Sequence, residues 1–275
     1  MAIEDTFGRK EKLSMTSDRG AQIIEKAKEM GARMVGIASV ELLKNSPSHQ
    51  ILYMKTGLEI KDFTGIRWPQ DVKSALVIAL SHPEDKPELD WCSDNTPGNS
   101  TLVRIIRKLS VWIQEEFGIK THKLPYSVNK GGIFLKDVAV LGGLGCIGRN
   151  NILITPELGP RVRLRAMLLA QELAPTGPIS FDPCDGCEEF CRKACPQNAF
   201  AQIILSSAET GMVAFPGRDG FFNRAKCMIQ INKEVVDSGI NFDEIQFALD
   251  SEDISHTKER IKYCRQCEFA CPIGK

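Results

Sequence analysis

The chain has 275 residues, ten of them cysteines, and its 35 basic residues equal its 35 acidic residues in number. A net charge of zero without a basic tract excludes bulk electrostatic binding of DNA. No apolar run approaches the about 20 residues that span a bilayer, and residues 1–20 carry charges instead of an apolar signal core. We therefore expect a cytoplasmic protein that does not enter the membrane.

Apolar periodicity and turn residues predict elements of both types along the first two thirds of the chain. In chain order they are a helix at 17–31, strands at 33–38 and 74–81, a loop at 82–98, a helix at 99–117, a strand at 119–124, a helix at 133–141, and strands at 151–155 and 162–169. The alternation predicts a layered α/β core over residues 1–175. Residues 175–178 are the expected linker to a cysteine-rich domain over 176–275.

Two cysteine runs dominate that second region. The first reads C-x2-C-x3-C-x3-C-P over residues 184–196, the second reads C-x2-C-x3-C-P over 264–272, and Cys227 lies alone between them. Eight thiols are the number that two [4Fe–4S] clusters need, and in bacterial ferredoxins the cysteine before proline serves the other cluster of the pair. The same exchange predicts two ligand sets: Cys184, Cys187, Cys191 and Cys271 for one cluster, and Cys195, Cys227, Cys264 and Cys267 for the other.

Other uses of these cysteines are less consistent with the sequence. Zinc ribbons also use C-x2-C pairs, but two endings of the form x3-C-P are not typical of them. Disulfides need an oxidising compartment. The remaining two cysteines, Cys92 and Cys146, are expected to be thiols without a ligand role.

A glycine-rich segment, Gly142-Gly-Leu-Gly-Cys-Ile-Gly148, precedes Arg149 and Asn150. It fits the dinucleotide pattern G-x-G-x-x-G from Gly143, but it follows a predicted helix and precedes a predicted strand, the reverse of the order that a dinucleotide site needs. Its glycines allow the backbone to approach something closely, whether a cofactor or another segment of the chain. A tight packing turn is the alternative that carries no function.

Three stretches together resemble the epoxyqueuosine reductase family, which is related to the reductive dehalogenases. They are residues 27–38, residues 143–154, where the family typically reads G-L-G-W-I-G-K-N-T-L-L-I, and the eight-cysteine pattern. The resemblance implies a nitroreductase-like layered core of mixed sheet and helices, followed by a ferredoxin-like domain with two [4Fe–4S] clusters. It also implies a base-off cobalamin against the glycine-rich turn. The candidate cofactor-binding residues are then Gly143, Leu144, Gly145, Cys146, Gly148, Arg149 and Asn150.

The family's proton donor is an Asp about 14 residues before the glycine-rich turn, where this chain has Asn129. An amide is not an acid at ordinary pH, so the role would pass to Tyr126 or Lys130. The candidate catalytic residues are therefore Tyr126, Asn129 and Lys130, and the alternative is that these polar side chains cap the helix that follows.

The resemblance implies a reductase that passes electrons through the clusters to the corrinoid and so to a small-molecule or modified-nucleoside substrate. Its expected electron donor is a ferredoxin or flavodoxin. Binding of tRNA is not favoured, because the helical-repeat extension associated with it in many family members would lie beyond residue 275. Two alternatives remain: a ferredoxin-like protein that reduces a corrinoid protein or another enzyme without holding cobalamin itself, and a redox or iron sensor.

Overall fold

The computed structural model describes residues 18–52, 66, 68–81, 97–126, 128, 131–237 and 264–274. The elements of the core, in chain order, are α1 (18–29), β1 (Met34–Ser39), α2 (Val40–Lys44), α3 (Pro47–Leu52), β2 (Ser74–Ser81), α4 (Pro97–Phe117), β3 (Thr121–Lys123), α5 (Leu135–Leu141), β4 (Cys146–Ile147), β5 (Leu153–Ile154) and β6 (Val162–Leu169). In the cysteine-rich region the described residues form the helices α6 (Phe190–Lys193), α7 (Ser207–Thr210), α8 (Arg224–Asp237) and α9 (Gln266–Phe269).

A four-stranded antiparallel sheet forms the centre of the core, in the order β1-β2-β6-β3. In β2, Leu76 lies opposite Ile37 of β1 and opposite Met167 of β6. At the far edge, Thr121 of β3 lies opposite Leu169. The described core thus combines helices with a sheet, as expected, and neighbouring strands of this sheet pair antiparallel in the residues that the structure describes.

Each face of the sheet carries its own apolar layer. Side chains alternate along β2, so that Leu76 and Ile78 face α1 and α4, whereas Ala75, Val77 and Ala79 face α2 and α5. All five are completely buried. Because both faces are covered by helices, β2 has a continuous apolar sequence instead of the alternating one of a half-exposed strand.

Helix α4 is amphipathic and ends at a glycine. Its buried stripe keeps helical spacing through Leu102, Ile105, Ile106, Leu109 and Ile113. Gly118 follows with a φ of 65° and donates its N–H to the Gln114 carbonyl, a left-handed cap that costs glycine no Cβ strain. The helix begins at Pro97, so the predicted loop ends two residues early; proline suits a first helical position, which needs no N–H partner. Residues 82–96 of that loop lie outside the described residues.

The other predicted elements of the core are present with ends shifted by up to two residues, whereas α2, α3 and β4 were not predicted. The proposed linker at 175–178 is bonded to the core at Thr176. Its N–H donates to the Ile37 carbonyl over 2.9 Å, and its hydroxyl lies 2.6 Å from the Gly142 carbonyl and accepts from the Ile37 N–H over 2.8 Å. This segment therefore continues the pairing at the edge of β1. Its hydrogen bonds fix the position at which the chain enters the cysteine-rich region.

Candidate metal centres and cofactor turn

The first group of cysteines draws on both runs. Burial raises the pKa of Cys191, on α6, to about 11, with Cys271 and Cys184 as its strongest thiol neighbours. Cys187 adds a smaller contribution to the same shift. We call Cys184, Cys187, Cys191 and Cys271 the first thiol set.

The second group joins the isolated cysteine to the remaining three. Burial raises the pKa of Cys227, on α8, to about 11, and the neighbouring thiols Cys264 and Cys195 add to the shift. Burial also raises the pKa of Cys267 well above its usual value, with Cys227 and Cys264 as its nearest thiols. We call Cys195, Cys227, Cys264 and Cys267 the second thiol set. These electrostatic neighbours are the same two groups of four that the ferredoxin spacing assigns, and the assignment of each group to one cluster stays a prediction.

The two thiol sets adjoin, since Cys191 of the first also raises the pKa of Cys267 in the second. Four neighbouring thiols that are buried or half-buried cannot all ionise without a cation to offset their charge, and a metal centre deprotonates the thiols that ligate it. Among the described residues, no three His, Cys, Asp or Glu side chains converge on a single ion.

The two runs end in the same local turn. Helix α6 is capped by Ala194, after which Cys195 donates its N–H to the Arg192 carbonyl over 3.2 Å. Helix α9 is capped by Ala270, after which Cys271 donates to the Glu268 carbonyl, also over 3.2 Å. The proline that follows each cysteine cannot continue a helix. Each Cys-Pro cysteine is therefore turned away from its own run and lies with the other set.

Arg161 holds the second run against the core. Its side chain is buried and donates to the carbonyls of Ile273 at 2.6 Å and of Glu268 and Cys271 at 3.5 Å. Next to it, the backbone of Gly159 packs so closely on Ile273 that a Cβ there would lie 1.9 Å from the carbonyl oxygen. Cys271 is thus positioned by a residue outside the cysteine-rich region.

Three cationic side chains donate to alternate carbonyls of the turn at 147–151. Arg218 bonds the Ile147 carbonyl at 3.5 Å, Arg192 bonds that of Arg149 at 2.9 Å, and Lys136 bonds that of Asn151. Burial lowers the pKa of Lys136 to about 8, and the neighbouring Cys227 and Cys267 oppose that shift. The turn is therefore bonded to the cysteine-rich region through Arg192 and Arg218, and Lys136 adjoins the second thiol set.

An ion-pair network supports the same junction. Glu189 pairs with Arg149 of the turn and with Arg192 at 3.5 Å, while Arg192 also pairs with Asp219 at 2.5 Å. The Arg192 guanidinium lies 5.1 Å from the Phe221 ring centroid. Because Arg192 follows Cys191 directly, the network fixes the helix that carries a first-set thiol.

The glycines of the turn pack against other segments of the same chain. A Cβ on Gly143 would lie 2.7 Å from the Thr176 carbonyl, and one on Gly145 would lie 2.0 Å from the Ile154 carbonyl. Gly148 packs in the same way on the Ile154 side chain. Leu144 is buried in the core. Internal packing therefore accounts for the glycine pattern, and any cofactor would meet the other side of these peptides.

Asn150 provides the one observation here that fits a corrinoid. Its side chain is 2% exposed, and its amide oxygen accepts from the Ile152 N–H at 3.1 Å. Its amide nitrogen is buried without a hydrogen-bond partner among the described residues. A buried donor without a partner is costly, and the amide side chains of a corrinoid offer acceptors for it.

Of the three candidate catalytic residues, Tyr126 is described and half-buried. The guanidinium carbon of the buried Arg165 lies 5.8 Å from its ring centroid, a cation–π contact that joins the loop to β6. Asn129 and Lys130 lie outside the described residues.

Sequence reasoning missed a buried polar network beside this loop. The Ser46 hydroxyl donates to Asp137 at 2.6 Å and lies 2.8 Å from Nδ1 of His49, and Nε2 of His49 accepts from the Phe134 N–H at 3.4 Å. Asp137 also accepts from the Ser48 hydroxyl at 2.7 Å. Every member is buried and bonded within the network, which fits a structural role at the start of α5 and not a nucleophile. The available signal was an aspartate inside the apolar helix Leu135–Leu141.

Curated proteins with similar sequences are reductases of two kinds. Epoxyqueuosine reductase of Bacillus cereus is 27% identical over 203 residues, which cover 66% of this chain and 52% of that protein. Its counterpart in Bacillus subtilis is 24% identical over 276 residues, or 92% and 63% of the two chains. A tetrachloroethene reductive dehalogenase of Desulfitobacterium hafniense is 45% identical over 69 residues, or 24% of this chain and 12% of that protein. No protein-family model matches.

Solved structures agree on the fold. A selenomethionine-labelled epoxyqueuosine reductase superposes with a TM-score of 0.60 at 21% identity, covering 94% of this chain and 66% of that one. Another epoxyqueuosine reductase structure, with a TM-score of 0.60, contains an epoxyqueuosine-modified tRNA stem loop. A structure described for B12-dependent dehalogenation reaches 0.58 at 16% identity, covering 96% of this chain and 33% of that one.

Fold and relatives define the class: a mixed α and β protein with an antiparallel sheet, similar in sequence and fold to reductases. The resemblance seen in the sequence is confirmed, since the chain is similar to epoxyqueuosine reductases and to reductive dehalogenases. It spans between about half and two thirds of the length of the curated epoxyqueuosine reductases that it matches.

Proposed function

We propose that the protein is an iron–sulfur oxidoreductase in which each thiol set holds one [4Fe–4S] cluster. The observation that carries the proposal is the grouping of eight thiols, three of them buried and five half-buried, into two adjoining sets of four, each built from distant stretches of chain. Cysteine thiolates are the standard ligands of such clusters. On this proposal, residues 1–175 form a nitroreductase-like domain and residues 176–275 a ferredoxin-like domain.

The adjoining positions of Cys191 and Cys267 support electron transfer between the two clusters. A low-potential ferredoxin or flavodoxin would supply the electrons. Lys136 and Arg161 are cations beside the second and first thiol sets, and they would offset the negative charge that each set gains on reduction. The chain thus provides both the cluster ligands and the positive charges that would raise the reduction potentials of the clusters.

We further propose that a base-off cobalamin binds against the turn at 147–151. The residues that would hold it are Asn150, through its buried amide donor, and the backbone at 143–149. When bound, a corrinoid supplies low-potential cobalt that reduces a bond of the substrate. The Tyr126 hydroxyl is the described group that can deliver a proton to that substrate. Asn129 and Lys130, which follow Tyr126 closely in the sequence, remain candidates.

The substrate is a small molecule or a modified nucleoside. A solved relative contains a tRNA stem loop, and tRNA is a candidate partner that we do not favour over a small molecule. The electron-transfer alternative, in which no corrinoid is held, is supported by the internal packing of Leu144 and the turn glycines.

Anaerobic protein mixed with hydroxocobalamin distinguishes the two functions. The reductase proposal predicts a saturable change in the corrinoid spectrum and a base-off Co(II) signal in electron paramagnetic resonance (EPR). Asn150→Leu should weaken binding at least tenfold, whereas Gln114→Leu, an exposed control on α4, should not. If the wild-type protein carries its clusters but binds no corrinoid, the reductase proposal is contradicted and the electron-transfer function is supported.

A further inference from the structure

A fifth thiol lies beside the first thiol set. Cys146 packs with Cys184 and Cys271 around Ile154 in one apolar cluster. Burial raises the pKa of Cys146 to about 11, and Cys184 is its strongest charged neighbour. The family motif has tryptophan at this position, so the additional thiol distinguishes this chain from the motif. The second thiol set has no corresponding fifth cysteine within the ranges that the structure describes.

Cys146 and Cys184 are held by one rigid frame. In β4, Cys146 lies opposite Ile154 of β5. The Cys184 N–H donates to Asp182 at 3.1 Å, Asp182 pairs with Arg218, and Arg218 donates to the carbonyl of Ile147, the next residue after Cys146. The two sulfurs are therefore positioned through the same guanidinium, and neither depends on a long free loop.

We propose that Cys146 is a reserve ligand of the cluster held by the first thiol set and takes over the iron of Cys184 when that bond is lost. This inference rests on the proposed function. In the exchange, the bond between iron and the Cys184 sulfur breaks and one between iron and the Cys146 sulfur forms. The Cys146 thiol proton passes to the departing Cys184 thiolate, so no electron is transferred and the net charge is unchanged.

The wild type and three variants test the exchange by their iron and acid-labile sulfide content after anaerobic reconstitution. Wild-type protein and Cys146→Ala should each hold about eight irons, the content of two [4Fe–4S] clusters. Cys184→Ala should also retain about eight, because Cys146 supplies the fourth sulfur. The double variant Cys184→Ala with Cys146→Ala should fall about twofold, to about four.

Cys195→Ala is the matched control. It removes a ligand of the second thiol set, which lacks a fifth thiol in the described part of the chain, so it should lose about half of the iron without rescue. The four irons left in either depleted variant show that the protein has folded. Equal losses in Cys184→Ala and the double variant would overturn the inference alone. A wild type without iron would overturn both the inference and the proposed function.

Discussion

In the core, four strands and the helices on both of their faces bury Leu, Ile and Val side chains without metal, as Leu76, Ile78 and Leu109 illustrate. In the cysteine-rich region the buried apolar side chains other than cysteine, among the residues described, are Ala199, Phe200, Leu205 and Ile231. So small an apolar core does not offset the entropy of ordering such a segment. The comparison indicates that the core is stabilised by apolar burial, whereas the cysteine-rich region depends on what its thiols bind.

The two regions are nevertheless connected by charge. Arg161 reaches from the core to the backbone around Cys271, and Arg192 reaches from the cysteine-rich region to the turn at 147–151. Lys136 donates to the same turn and adjoins the second thiol set. Loss of the clusters should therefore weaken the junction first and the core last.

The largest expected effect is that of removing the metal. Chelation of the anaerobic protein should abolish the amide-exchange protection of residues 180–237, while β2 and β6 keep theirs, because their burial needs no metal. Hydrogen exchange read by mass spectrometry measures both regions in one sample, and reconstitution with iron and sulfide is the control. Simultaneous loss of protection in β2 would contradict the separation of the two regions.

Leu109→Ala tests the core side of the comparison. Leu109 is fully buried in α4, and such a truncation costs about 3 kcal/mol in the free energy of unfolding. Denaturant titration should detect this loss with iron content unchanged. The exposed Val111→Ala provides the control on the same helix. If Leu109→Ala also released iron, the core and the clusters would be one cooperative unit.

Arg161→Met tests the connection. Three carbonyls lose a buried cationic donor, which should lower the free energy of unfolding by about 2 kcal/mol and speed iron loss to a chelator from the first thiol set. Arg161→Lys should retain part of both. Unchanged chelation kinetics in Arg161→Met would mean that the second run is held by its metal alone.

The buried His49 makes stability depend on pH. Burial lowers its pKa to about 4, against the opposing effect of Asp137. Between pH 7 and pH 5 the unfolded chain takes up a proton that the folded protein refuses, so the free energy of unfolding should fall by about 2 kcal/mol. Denaturation of wild type and His49→Gln at both pH values measures it. An equal pH dependence in the two proteins would contradict the neutral state assigned to His49.

The smallest effect is electrostatic. Lys136 lies next to Cys227 and Cys267, and a cation there favours the reduced cluster. Lys136→Met should lower the potential of the second cluster, shifting its reduction equilibrium about tenfold, or about 59 mV for one electron. Lys136→Arg should stay near the wild type in an EPR-monitored titration. A potential that rose in Lys136→Met would show that the lysine does not act through its charge.

The sequence predicted most of the core because its signals are local. The stripe of α4 and the apolar run of β2 each follow from the periodicity of their own residues. The direction of the strands was not predicted, since a strand buried on both faces looks the same in parallel and antiparallel sheets. The spacing of the cysteines also predicted the two thiol sets, because ligand geometry constrains it.

What sequence reasoning could not provide were contacts between distant residues. Nothing in the sequence near Arg161 indicates that it bonds the carbonyls around Cys271, or that His49 bonds the N–H of Phe134. Cys146 was expected to have no ligand role. Its position beside Cys184 could not be predicted, because it depends on the pairing of β4 with β5.

Native mass spectrometry of the anaerobically purified protein tests the central claim most directly, since it measures the mass of the metal clusters that the thiols bind. The account predicts one dominant species whose excess mass equals two [4Fe–4S] clusters, reduced to one cluster in Cys227→Ser. A species carrying zinc, or a metal-free chain lighter by the hydrogens lost to disulfides, would contradict it.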